Sequence, residues 1–239
     1  MRVCNPVLET DTIKYSVQPG CGFLDPGYYR VTKQVHPAVD LNALSGGDSD
    51  YGNRVRCVAD GVVVTAGQFP SWGGIVLIHH PALGVWTQYA HLINIAVKAG
   101  QPVGMGDPVG QIGKGANNQF LAHLHFEVRR SLLPAEFWPS SRFPTKAGAE
   151  AYIREHYFDP EKWLEEHQAI RTLAALEGYL KVQAAPIITP AGPQAVPAEL
   201  AAVFPLYGVP GFDRVRVMKR SDGQGMKAYG IRAEQQVKP

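Results

Sequence analysis

Between Arg54 and Arg130 the chain is written in short apolar runs broken by glycine, and that rhythm limits the fold more than any other feature. Val55–Val58, Val62–Ala66, Gly74–His80, Val85–Leu92 and His123–Arg130 are four to eight residues long and rich in β-branched and aromatic side chains, as strands are. Asp60-Gly61 is a hairpin signal, Pro81–Gly84 makes a turn, and glycines from Gly100 to Gly115 divide what precedes the last run. Glycine and proline together make 44 of 239 residues, too much punctuation for a bundle of long helices. The 45% hydrophobic content excludes a disordered chain. The expectation is a mainly β protein with a small antiparallel sheet or sandwich. Gly104–Gly110 lacks the G-x-G-x-x-G spacing and a following helix, so these read as turn glycines, not a phosphate loop.

The flanks differ in character. Residues 1–35 read as irregular, with turns at Pro19-Gly20 and Asp25-Pro26-Gly27, and Leu44–Gly52 as a loop. Thr145–Tyr157 reads as a short helix. Asp159 before Pro160 is an N-cap followed by Pro at the first helical position, which predicts a helix from Pro160 to about Val182. Six prolines between 186 and 210 mark an extended arm, and Arg214–Lys219 with Lys227–Ile231 can pair as a hairpin around Asp222-Gly223. The expected organisation is an N-terminal segment (1–30), a β domain (31–145), a helical extension (146–183) and a Pro-rich arm with a basic hairpin (184–239). The net charge is +2, and residues 186–239 carry seven Lys/Arg against four acids, a net +3 suited either to solvent or to an anionic polymer.

Cys4, Cys21 and Cys57 lack the spacing of a zinc ribbon or a redox pair; they read as three thiols with Cys57 buried, and a Cys4–Cys21 bridge is left open. No signal peptide is visible at the N-terminus, and the apolar stretch Gly74–Ile78 stops at His79-His80, so no membrane span is expected.

The histidines carry the chemistry. On a strand, His123 and His125 project from one face while Leu124 and Phe126 project from the other. Two adjacent imidazoles need partners if buried, and a shared metal supplies one. His36 and Asp40, four apart in HPAVDLNA, add an imidazole and a carboxylate, and His91 follows in YAHL. Two histidines and an aspartate make the ligand set of a catalytic zinc site with a fourth position open to water, whose pKa falls to roughly 7. Any one of these histidines alone reads as an ordinary polar or core residue. Tyr89 alternates with His91 and is expected on the same face, lining a groove; Glu127 shares the face of His125 and is a candidate hydrogen-bond partner.

From about Val31 to Arg130 the chain resembles the lysostaphin-type zinc metallopeptidases, the LytM or M23 family of peptidoglycan endopeptidases. The resemblance rests on HPAVDLNA, ADGVVVTAG, GGIVLIHH, WTQYAHL, AGQPVGMGDPVGQIGKG and HLHFEV in that order, with YFDPEKWL (Tyr157–Leu164) resembling a segment that closes such domains. It implies a small antiparallel peptidase core with an open groove and one zinc ion per chain. By the same resemblance His36, Asp40 and His125 are the metal ligands, and His91 and His123 are the catalytic histidines that activate water and stabilise the oxyanion. Ala38 stands where the family commonly has glycine. Asn117–Ala122 replaces a glycine-rich approach to His123 and is expected to border the groove.

The implied function is hydrolysis of peptide bonds in the peptidoglycan stem or cross-bridge by a monomer, with a peptidoglycan peptide and no nucleic acid as partner. A non-enzymatic cell-wall or partner-binding module on the same fold is the rival, as is a general peptidase acting on glycine-rich proteins. With no visible leader, the expected setting is cytoplasmic synthesis with action on the wall, either as a phage endolysin or as a secreted hydrolase whose leader has been removed.

Overall fold

Alternation builds the sheet. In β10 (Leu124–Arg129) Leu124, Phe126 and Val128 enter the core, so His125, Glu127 and Arg129 all face the other way. The structure, a computed structural model, describes residues 2–184, 214–219 and 226–231. The chain forms two units, Met1–Gly178 and Tyr179–Pro239.

In the first unit β1 (Cys4–Glu9) and β2 (Tyr15–Val17) precede a short helix α1 (Pro26–Thr32), capped by Asp25. There follow β3 (Val39–Ala43), β4 (Arg54–Arg56), β5 (Gly61–Phe69), β6 (Gly73–His80), β7 (Val85–Ile93), β8 (Pro102–Val103), β9 (Pro108–Ile112) and β10. The sheet runs β2-β3-β10-β7-β6-β5-β8, its pairs antiparallel, with β9 bridging β7 and β4. One face packs Val39, Val76, Ile78, Tyr89, Leu124 and Phe126 against Val55, Cys57 and Val109 of the overlying segments and Trp163 of a later helix. The opposite face carries Asp40, Gln88, His125 and Glu127.

After β10 come α2 (Pro139–Arg142), α3 (Lys146–His156, capped by Thr145), β11 (Tyr157–Phe158, paired with β10), α4 (Pro160–Glu166), β12 (Ile170–Thr172) and α5 (Leu173–Ala184). Asp159 caps α4 through the backbone N–H groups of Glu161 and Lys162. In the second unit β13 (Arg214–Lys219) pairs antiparallel with β14 (Met226–Ile231), from Arg214 opposite Ile231 to Lys219 opposite Met226.

Three expectations are corrected. Asp60-Gly61 does not turn a hairpin, because β4 pairs with β9 while β5 pairs with β6 and β8. The single helix from Pro160 to Val182 is interrupted: Gln168 takes a left-handed φ of 49°, and Ile170 pairs with Cys4 in a parallel β1–β12 ladder. That ladder also makes β1 an ordered strand where irregular chain was expected; a two-strand pairing over so long a separation leaves no local signal. The cysteines are thiols, with Cys4 and Cys57 buried and Cys21 half-buried. The proline-rich arm lies outside the described residues. No described helix is long and apolar enough to cross a membrane.

Candidate active site and metal centre

His36, Asp40 and His125 meet on the polar face of the sheet. Val39 and Leu41 point into the core, which turns Asp40 to the opposite side. The β3–β10 register sets Asp40 directly across from His125. His36 stands in the loop before β3, its ring stacked on Tyr28 of α1 with centroids 4.4 Å apart. His36 Nε2 lies 3.3 Å from Asp40 Oδ1 and 3.3 Å from His125 Nδ1, and His125 Nδ1 lies 3.0 Å from Asp40 Oδ1. A tetrahedral ion with bonds of about 2.0–2.1 Å holds its ligand atoms about 3.3 Å apart, so this triangle fits one face of such a site. Among the described residues it is the one cluster of three such donors close enough to share an ion.

The remaining ring nitrogens fix the tautomers. His36 Nδ1 lies 3.2 Å from the Gly22 carbonyl oxygen, and a carbonyl only accepts, so Nδ1–H donates and Nε2 is the free ligand atom. His125 Nε2 lies 3.0 Å from Glu127 Oε1 and donates there, which leaves Nδ1 facing Asp40. Burial opposes charge on His125, but hydrogen bonds to Asp40 and Glu127 outweigh it and raise its pKa to about 9. Burial also works against the Asp40 carboxylate, yet His36 and His125 hold it well below the usual carboxylate range. Glu127, fully buried, is kept ionised by Arg129 and then His125.

His91 and His123 flank the triangle. His91 Nδ1 is 2.8 Å from the Trp72 carbonyl oxygen, and His123 Nδ1 is 2.8 Å from that of Leu121. Both therefore spend Nδ1–H on backbone and keep Nε2 free; His123 Nε2 is 4.0 Å from Asp40 Oδ1. The two rings sit 4.8 Å apart, and His91 lies 5.6 Å from the His125 ring. Burial, reinforced by His125 and His123, lowers the His91 pKa to about 3, so the imidazole is neutral.

Tyr89 is a correction. It does not line the groove but is fully buried in the core, where its hydroxyl oxygen accepts from the backbone N–H of Val58. Strict alternation fails because β7 is bulged: Leu92 pairs with Gly74 and Ala90 with Ile75, which leaves His91 as the extra residue with a φ of 64°. That left-handed turn swings His91 onto the face opposite Tyr89.

The histidines open into a cleft of about 850 Å³ whose lining includes Cys21, Tyr28, Trp72, Gln119, Phe120, Leu121, Glu136 and Trp138. The segment expected to border the groove thus supplies Gln119, Phe120 and Leu121. Trp72 and Trp138 meet edge to face at 5.7 Å, and Trp72 lies 5.2 Å from the His125 ring. Neither tryptophan was legible as a site residue, since they are distant in sequence and share no pattern. Arg129 was legible in principle: it continues the alternation His125, Glu127, Arg129 along one strand face.

Residues 34–136 match the model of Peptidase family M23. Over that segment, which runs from just before His36 to Glu136 of the cleft wall and makes up less than half of the chain, the protein is similar to M23 peptidases. Over 80 residues it is 42% identical to the cell division protein DipM of Caulobacter vibrioides, covering 33% of this chain and 13% of that protein. Over 98 residues it is 35% identical to the DD-carboxypeptidase/endopeptidase Mpg of Neisseria meningitidis, covering 41% of this chain and 21% of that protein. The chain therefore spans well under a quarter of the length of these two relatives. A zinc-containing peptidase from Vibrio cholerae superposes with a TM-score of 0.41 at 27% identity, over 53% of this chain and 36% of that one.

Proposed function

We propose that this protein is a zinc-dependent endopeptidase that hydrolyses peptide bonds in the stem or cross-bridge of peptidoglycan. The observation that carries the reading is the His36–Asp40–His125 triangle, with edges of 3.0–3.3 Å, beside two histidines whose Nε2 atoms are unencumbered. His36 Nε2, Asp40 Oδ1 and His125 Nδ1 would hold the ion. Zinc, when bound, polarises a peptide carbonyl and makes water nucleophilic near neutral pH. His91 is anchored at Nδ1, so its Nε2 lone pair is left directed at the site and can take a proton from the attacking water. The same His91 Nε2 can then give that proton to the leaving amine, while His123, anchored in the same sense, keeps its Nε2 directed at the site beside the reacting peptide. Trp72, Phe120 and Trp138 line the cleft and offer aromatic surface to a bound peptide. The wall substrate is supported by the M23 domain and by a relative named as a DD-carboxypeptidase/endopeptidase.

The test is digestion of purified peptidoglycan with and without a chelator, with mass spectrometry of the fragments. Chelator-sensitive release of peptide fragments is the expected result, together with loss of both zinc and cleavage in His125→Ala. The name of DipM states a role in cell division and no reaction. Zinc retention without any cleavage would therefore favour a binding module on the same fold.

A further inference from the structure

One charged side chain near the site touches neither the metal ligand atoms nor the cleft lining, yet is completely buried. Arg129 lies on the same strand face as His125 and Glu127, two residues further along β10. Its guanidinium has two occupied branches. Nε donates to Glu127 Oε2, while Glu127 Oε1 accepts from His125 Nε2 at 3.0 Å and from Gln88 Nε2 at 3.3 Å. Nη1 donates to the carbonyl oxygens of Leu133 and Pro134, each at 3.1 Å. The residues that follow form one wall of the cleft. Ala135 packs on Ile75 and Ala90, Glu136 and Trp138 line the cleft, and the Trp138 ring stands 6.1 Å from both His36 and His125.

We propose that Arg129 is a positioning residue that couples two parts of the site: through Glu127 it orients the ligand His125, and through the Leu133 and Pro134 carbonyls it sets the Glu136–Trp138 wall against which the substrate lies. A planar guanidinium suits both tasks at once, because its donors diverge in a fixed fork, whereas an ammonium is a single point of charge. The first branch acts on metal affinity, since the outer partner of a ligating histidine fixes its tautomer and ring direction. The second acts on substrate binding alone. Arg129 is thus the physical link between the two functions of the cleft.

The proposal rests on the zinc-peptidase reading, and the experiment separates the two. Arg129→Ala would leave Glu127 Oε2 buried without its donor and empty a buried site, which would endanger the fold, so the variants are Arg129→Lys and Glu127→Gln in the full chain. Zinc affinity is measured by competition with a chromophoric chelator, KM and kcat with a peptidoglycan peptide at saturating zinc, and the unfolding temperature on the metal-free protein. Arg129→Lys keeps a cation near Glu127 but loses the fork; it should hold zinc within about threefold of the parent while KM rises several-fold with kcat little changed. Glu127→Gln should weaken zinc binding about 10–100-fold, with KM at saturating zinc unchanged. A merely structural role would move zinc affinity, KM and unfolding temperature together, and that result would overturn the proposal. So would parental zinc affinity and KM in both variants. If the parent itself binds no zinc, the peptidase reading falls and the proposal falls with it.

Discussion

At the scale of single residues the site depends on which ring nitrogen is free. His91 has its Nδ1 on the Trp72 carbonyl and a backbone φ of 64°, a conformation that asparagine tolerates better than alanine. His91→Asn should therefore fold and retain zinc while losing cleavage by about 10²–10⁴-fold, the usual contribution of a general acid–base group. Parental turnover in that variant would remove His91 from the proposed chemistry. His80 shows the opposite use of an imidazole. It is buried, with Nδ1 3.0 Å from the Asp60 carbonyl oxygen and Nε2 2.7 Å from Thr87 Oγ1, and burial lowers its pKa from 6.5 to about 4. A depressed pKa on a base means that the unfolded chain binds the extra proton first. Stability from this group is present above pH 6.5, declines as the pH falls from 6.5 to about 4, and is worth about 3 kcal/mol across that window. In urea titrations from pH 7 to pH 4, the stability gap between the parent and His80→Gln should narrow by about that amount.

At the scale of elements, the bulge in β7 decides what strict alternation does not. Period two was legible in His123–Arg130, and it places His125 and Glu127 on one face as read, with Arg129 continuing the same alternation. The same rule put Tyr89 beside His91, and there it failed, because one extra residue inserted opposite Gly74 and Ile75 reverses every later side chain. A bulge is set by the partner strand, so neither strand announces it alone. Gly113 belongs to the same arrangement: a Cβ there would stand 2.4 Å from the His91 carbonyl oxygen. Gly113→Ala should cost about 1–3 kcal/mol in urea unfolding and lower cleavage by shifting His91. The helices divide in the same way. Asp159 caps where the sequence places it, since capping is a contact within three residues, and Thr145, read as the first helical residue, is the cap of α3. The break between α4 and α5 depends instead on β1, more than 150 residues away in sequence.

At the scale of the whole molecule, the ligand triangle joins residues 36, 40 and 125 and exists only in the folded chain. An ion that binds the native state and not the unfolded one stabilises by about 2.7 kcal/mol at a hundred times its Kd. For a chain of this size that corresponds to a rise in Tm of about 5–10 °C on adding zinc to the metal-free protein. A chelator should reverse the shift, and Asp40→Ala should abolish it; an equal shift in Asp40→Ala would place the ion elsewhere. The sequence by itself determined the mainly β character, the strand faces of the H-x-H pair, the Asp159 cap and the likeness of the histidine motifs to M23 peptidases. Each of these is a pattern in side-chain type at short spacing. Only the tertiary structure decided the register that sets Asp40 opposite His125, the tautomers of His36, His91 and His123, and the guanidinium that ties His125 to the cleft wall. The reason is physical. His36, His91, His123 and Arg129 are anchored on backbone carbonyls of Gly22, Trp72, Leu121, Leu133 and Pro134, and a carbonyl is the same in every residue, so no sequence marks which one will be there.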